Sequence, residues 1–189
     1  MTSLWHVYAR ALYTAQLRTL FGMVGDGVGL LEAAAAQGGF QILEAYDQRA
    51  AVGMAIGFAQ ATRRCAVLAA SPGPGLANAA MGILEAASLQ TPLLILSNGV
   101  SRRLKGTGAF QEFDTLRFMP AITKWAYRVE SSHRVMWALE RALHLALNGR
   151  KGPVFLELPD DLIALKTPLT DPLPSLPHAL RVQLALCTS

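Results

Sequence analysis

The sequence predicts a doubly wound α/β domain with a mostly parallel sheet and helices on both faces. Three observations predict it. The apolar runs Cys65 to Ala70, Pro92 to Leu96 and Pro153 to Leu158 are short and nearly continuous, as strands buried on both faces require. Helix-length segments alternate with these runs along the chain, the pattern of a parallel sheet with crossover helices. The length, 189 residues, leaves room for one domain, with or without a tail, at about 100 to 200 residues per domain.

Taken in order, Ser3 to Arg18 reads as a helix opened by Thr2 or Ser3 as cap, followed by a strand from Thr19 to Val24. Gly29 to Gln37 is a helix, Phe40 to Ala45 a strand, and Asp47 to Thr62 a helix with an acid at its start. After the Cys65 strand, Leu76 to Leu89 is an amphipathic helix, and after the Pro92 strand Asn98 to Leu116 is a long loop carrying Gly99, Gly106 and Gly108. Connections of that length are commonly functional. Thr123-Lys124 precedes a short strand, Ser132 to Asn148 is a second amphipathic helix, and the Pro153 strand closes the domain at about residue 165. Residues 166–189 read as a Pro-rich tail, with Pro168, Pro172, Pro174 and Pro177 ahead of a helix-compatible segment from Ala179 to Leu186.

Composition narrows the function classes. Hydrophobic residues make up 52% and charged residues 16%, against about 45 to 50% and about 25% in ordinary soluble domains. That excludes intrinsic disorder. No apolar stretch reaches the roughly 18 to 20 residues of a membrane span. A chain so poor in charge has little polar surface with which to cover itself, which predicts an obligate oligomer. The net charge is +4, and the basic clusters, Arg63-Arg64 and Arg102-Arg103-Leu104-Lys105, are the short kind found on solvated loops, so no nucleic-acid partner is expected. Cys65 and Cys187 lie far apart and suit reduced thiols. With no basic region followed by an apolar one at the N-terminus, a cytoplasmic location is expected.

Several motifs are ambiguous when taken alone. Gly25-Asp26-Gly27-Val28-Gly29 with Glu44 stands where a dinucleotide fingerprint would, but Leu30 replaces the third glycine, so a bare turn fits as well. Asp47 opens an Ala- and Gly-rich helix and is either functional or a helix cap. Ser71-Pro72-Gly73-Pro74-Gly75 leads into a helix that carries Asn78; its free N–H groups suit an anion, and a plain sharp turn is equally consistent. Phe110, Gln111 and Glu112 sit on the long loop, where solvated residues would look the same.

In this order the blocks resemble the N-terminal, pyrimidine-binding domain of thiamine diphosphate enzymes of the acetolactate synthase, 2-oxoacid decarboxylase and 2-hydroxyacyl-CoA lyase group. The resemblance rests on Phe21-Gly22 with Gly25, the helix from Asp47 through Gly57, Gly73-Pro74-Gly75 with Asn78, Pro92, Ala109-Phe110-Gln111-Glu112, Pro120 with Thr123-Lys124, and Gly152-Pro153-Val154 with Pro159. It spans about residues 3 to 163.

The resemblance implies a cofactor shared between domains. The pyrimidine domain of that family holds the aminopyrimidine ring, and a glutamate bonded to a ring nitrogen promotes proton removal from the thiazolium carbon. The thiazolium then serves as electron sink for making or breaking a C–C bond. Asp47 stands in the glutamate's place, one methylene shorter. Gly25, Gly73, Pro74 and Asn78 would shape the cofactor pocket, and Phe110 and Gln111 would face substrate. The diphosphate and its Mg²⁺ belong to a separate domain in the family; Gly25-Asp26-Gly27 imitates the start of that domain's metal motif, but the asparagine that should follow is missing at the required spacing. The expectation is a pyrimidine-domain subunit of a split enzyme, active only with a diphosphate-domain partner, as a homodimer or heterotetramer acting on a 2-oxo acid or acyl compound. The alternatives are a Rossmann-type oxidoreductase using Gly25, Gly27 and Glu44, and a non-catalytic interaction subunit.

Overall fold

The computed structural model describes residues 3–25 and 29–165. Thr2, Asp26, Gly27, Val28 and the Pro-rich residues 166–189, with the helix-compatible segment expected there, lie outside the described residues.

The chain runs through α1 (Leu4–Thr14), β1 (Thr19–Gly22), α2 (Gly29–Gln37), β2 (Gln41–Glu44), α3 (Gln48–Thr62), β3 (Ala66–Ala70), α4 (Pro74–Ser88) and β4 (Leu93–Gly99). It continues through a long connection containing α5 (Thr115–Phe118) to β5 (Trp125–Arg128), α6 (Val135–Leu147), β6 (Pro153–Pro159) and α7 (Asp160–Ile163). The six strands form one sheet in the order β2-β1-β3-β4-β6-β5, and every neighbouring pair is parallel. The expected doubly wound architecture is therefore present, with a wholly parallel sheet in place of a mostly parallel one.

Two apolar layers hold the sheet. On one face α1, α2 and α6 pack with Tyr8, Leu12, Leu30, Leu139 and Leu143 against Val67, Leu94, Val154 and Leu156. On the other, α3 and α4 pack with Val52, Ala55, Ala59, Leu76, Ala79 and Ile83 against Phe21, Leu68, Leu93, Ile95 and Phe155. Residues alternating along one strand, such as Leu94 and Ile95, thus enter opposite layers, as period-two geometry demands. In α6 the buried positions Val135, Ala138, Leu139, Ala142, Leu143 and Ala146 follow the i, i+3, i+4 spacing of a one-faced helix.

Several expected boundaries move for local reasons. The first helix stops at Thr14, not Arg18, because Gln16 turns left-handed at φ 63° and Leu17 N–H returns to Leu12 C=O. The second amphipathic helix starts at Val135, not Ser132, with a 3₁₀ turn over Ser132–Arg134 ahead of it. The helix expected from Leu76 begins two residues earlier, with Pro74 in its first turn, where the missing N–H costs nothing. β1 ends at Gly22, short of Val24, whereas β4 runs on past Leu96 to Gly99, its polar end paired with Glu157, Leu158 and Pro159 of β6. The short strand expected after Lys124 is β5.

The strand order sets the place for a ligand. From β1 the chain moves to one side to form β2 and to the other to form β3, and open parallel sheets bind ligands outside the C-terminal strand ends at such a reversal.

Candidate functional site

The residues singled out from the sequence lie along this C-terminal rim. Gly25 follows β1, Asp47 follows β2, Gly73 and Pro74 follow β3, Asn78 lies early in α4, and Phe110 and Gln111 lie in the connection after β4. Gly25, Pro74, Asn78 and Phe110 are exposed, and Gly73 is buried.

Asp47 is the N-cap of α3. Its backbone is extended (φ −148°, ψ 139°), and Oδ1 accepts the Arg49 backbone N–H at 2.7 Å, satisfying a donor that the helix start leaves free. The Arg49 guanidinium also donates to it, Nε to Oδ1 at 3.0 Å and Nη2 to Oδ2 at 2.8 Å. These side-chain bonds, then the backbone bond, hold the carboxyl down at about 2, so it is an anion throughout the physiological range. The cap and the functional candidate are the same residue. A ligand N–H that approaches Asp47 shares it with Arg49.

Beneath it, Gln48 is buried and its Nε2 donates to Ser71 Oγ at 3.2 Å, tying the start of α3 to the end of β3. Gln48 Oε1 is buried without a partner among the described residues. Gly73 then makes a sharp turn at φ 57°, ψ −109°. A Cβ there would lie 2.7 Å from the Gln111 carbonyl oxygen, so the turn after β3 and the loop after β4 meet backbone to backbone. That φ/ψ is open only to glycine. Gly73→Ala is expected to cost about 1 to 3 kcal/mol in urea unfolding, with Gln111 displaced; a change under about 0.5 kcal/mol, the range of neutral surface substitutions, would show that the turn tolerates a side chain.

The loop that presents Phe110 and Gln111 has its own clasp. Glu112 accepts backbone N–H groups from Gly106 at 2.5 Å, Gly108 at 2.8 Å and Ala109 at 3.1 Å. The Gly106 bond is the main influence keeping this carboxyl below its ordinary range. Both loop ends are held by a buried ion pair: Arg128 donates from Nη2 to Val100 C=O at 2.6 Å, and Thr115 Oγ1 donates to Glu157 Oε2 at 2.7 Å. Arg128 Nη1 lies 3.3 Å from Glu157 Oε2, and its Nε is 3.2 Å from Glu130 without hydrogen-bond geometry. Arg128 and Glu157 are 4% and 3% exposed, and burial pushes the Glu157 carboxyl up despite Arg128.

Glu112's clasp, the Gln48–Ser71 bond and the Arg128–Glu157 pair carried no signal in the sequence as single residues. Gly25 points the other way: an added Cβ would meet nothing, so no contact within the described chain requires a glycine there. Among the described residues, no three His, Cys, Asp or Glu side chains are grouped as metal ligands, and no helix is long and apolar enough to cross a membrane.

The fold and site define a doubly wound α/β domain with a carboxylate, a glycine turn and a clasped loop on its reversal rim, the place where open parallel sheets bind ligands. Residues 3–118 match the family described as "Thiamine pyrophosphate enzyme, N-terminal TPP binding domain", and the chain belongs to that family. It is 34% identical over 155 residues to the acetolactate synthase isozyme 3 large subunit of Escherichia coli, covering 82% of this chain and 27% of that protein. It is 31% identical over 160 residues to human 2-hydroxyacyl-CoA lyase 1, covering 85% and 28%. The solved structure of benzoylformate decarboxylase from Polynucleobacter necessarius superposes with a TM-score of 0.79 at 26% identity, over 90% of this chain and 32% of that one. The chain thus spans between a quarter and a third of the length of these relatives. Family membership sets aside the dinucleotide reading of Gly25, Gly27 and Glu44; Leu30, in the place of the fingerprint's third glycine, is a buried core residue.

Proposed function

We propose that this chain is the pyrimidine-binding half of a thiamine diphosphate-dependent enzyme that makes or breaks a C–C bond next to a carbonyl, with the diphosphate and Mg²⁺ held by a partner chain. When bound, the cofactor supplies an electron sink at its thiazolium ring. The observation that carries the reading is the placement of the Asp47 carboxylate on the same reversal rim as the Gly73 turn and the Phe110–Gln111 loop.

The donor and acceptor set suits the aminopyrimidine end. Asp47 offers an anionic acceptor to a ring N–H, and the Gly73 turn presents backbone groups without side-chain bulk. The exposed ring of Tyr46, next to Asp47 in the chain, offers apolar surface on the same rim. Gly25, Pro74 and Asn78 line the approach, and Phe110 and Gln111 face the substrate. Asp47 holds the ring in place and takes part in its proton exchange; its shorter reach is offset if α3 lies closer to the ring than a glutamate-bearing helix would.

The surface also suits a partner. Met54 on α3 and Met81 and Leu84 on α4 are 38%, 71% and 52% exposed, and added Cβ atoms at Gly53 and Gly57 would meet nothing. Exposed apolar area of this kind, beside backbone left uncovered by side chains, favours close contact with another chain. The diphosphate-domain chain is the occupant we assign to it, in a heterotetramer.

Titration calorimetry tests the division of labour. The chain alone is expected to give no measurable heat with thiamine diphosphate and Mg²⁺, and to bind both once a diphosphate-domain partner is added. Micromolar binding by the chain alone would overturn it, and NAD(H) binding would point to an oxidoreductase.

A further inference from the structure

A cavity of about 220 Å³ opens on the rim between the ends of β4 and β6, lined by Pro72, Asn98, Gly99, Phe110, Gln111 and Asp160. Its wall mixes apolar residues, Pro72, Val100 and Phe110, with polar ones. Its one ionisable side chain is Asp160, the first residue of α7.

Two hydrogen bonds fix how that carboxylate is presented. The Trp5 indole N–H, which can only donate, reaches Asn98 Oδ1 at 3.0 Å. The bond settles which way the Asn98 amide faces and leaves Nδ2 to donate to Asp160 Oδ1 at 2.9 Å. Trp5 is buried in the α1 layer, so the relay is anchored in the core. Asp160 Oδ2 accepts no hydrogen bond from a described residue. Arg102 is committed to the next residue, donating to Asp161 from its backbone N–H at 2.8 Å and from Nε at 2.7 Å. Burial raises the Asp160 carboxyl above its ordinary range, as does the neighbouring Asp161, while the Asn98 bond and the charge of Arg128 oppose the rise only in part. No described Lys or Arg pairs with Asp160.

We propose that this cavity is a subsite for the end of a ligand that carries a hydrogen-bond donor, neutral or cationic, with Asp160 as its recognition carboxylate. A ligand end bearing its own carboxylate is excluded there. The physical reason is electrostatic: a carboxylate with one neutral partner has acceptor capacity left for an N–H or O–H, and like charges at this range repel. Pro72 and the Phe110 ring supply apolar contact for a short aliphatic stem. Within the enzyme proposed above, whose existence the subsite's catalytic role rests on, this selects substrates by the group distal to the reacting carbonyl. The binding preference is a property of this chain alone.

The test is therefore made on the full chain, ¹⁵N-labelled, without partner or cofactor. Propylammonium, propionamide and propionate, matched in size and at equal ionic strength, are titrated while the amide resonances of Gly99, Val100 and Gln111 are followed. Propylammonium and propionamide are expected to shift these amides saturably at millimolar concentration, and propionate to leave them unmoved. Asp160→Asn, which keeps the shape and the Asn98 partner, should weaken propylammonium by about two- to fivefold, the range of a single exposed ion pair, and abolish discrimination against propionate. Equal shifts with propionate, an undiminished response in the variant, or no saturable shift with any probe would each overturn the subsite. An assembled enzyme that fails to turn over would instead count against the thiamine diphosphate reading and leave the amide shifts as they are.

Discussion

Replacing Asp47 by alanine is expected to lower turnover of the complex with its diphosphate-domain partner by at least about a hundredfold, the low end of what a positioned proton-exchanging group contributes. The fold should survive, because the side chain is partly exposed and its bonds all go to Arg49, two residues along the same helix start. The measurement pairs steady-state kinetics with circular dichroism and cofactor titration, so that lost chemistry separates from lost binding. Asp47→Glu distinguishes two geometries. Gain of activity means the pocket is cut for the longer residue of the family; loss means that α3 sits closer to suit aspartate. Near-normal turnover of Asp47→Ala in a complex that binds cofactor would reduce Asp47 to a helix cap.

Arg128→Met is expected to have the largest effect on stability, about 3 to 5 kcal/mol, because it strands Glu157 as an uncompensated charge in the interior. Replacement by well-packed groups is far cheaper than removal of one partner, so Arg128→Met combined with Glu157→Gln should recover most of the loss. The pH dependence has a definite sign. Burial already raises the Glu157 carboxyl above its ordinary value while Arg128 opposes the rise; without the arginine it rises further. Between the unfolded and folded values the native state then holds the extra proton, so stability falls as pH increases through that window. Urea unfolding should show Arg128→Met losing more at pH 8 than at pH 5. An equal loss at both, or one below about 1 kcal/mol, the typical effect of an ordinary substitution, would mean that Glu157 finds another partner.

What the sequence made legible and what it hid divide along sequence separation. β3 was plain because all five of its residues are buried, which leaves an uninterrupted apolar run. Asp47 could be placed at a helix start because capping acts within three or four residues, whereas Pro74 read as part of a turn and lies in the first turn of α4. Asn98 and Gly99 read as loop, yet with Ser97 they continue β4, since their pairing with β6 overrides their low strand propensity. The features that shape the site are longer-range still. Gln48 meets Ser71 across 23 residues, Asn98 meets Asp160 across 62, and Trp5 meets Asn98 across 93. None of these pairings follows from spacing or periodicity; each exists only once the sheet has brought its strand ends to one edge.

The small-residue packing of α3 against α4 has a mechanical consequence. An added Cβ at Gly82 would collide with the Val52 side chain, so the two helices touch with almost no compressible material between them. α3 carries Asp47 at its leading end and α4 carries the Gly73–Pro74 turn at its own. At that contact a displacement of either helix would be resisted by the other, and the outward flank around Met81 and Leu84 lies on the element that carries the turn. A partner gripping that flank would therefore act directly on the turn and, through the Val52–Gly82 contact, on the helix that carries the carboxylate.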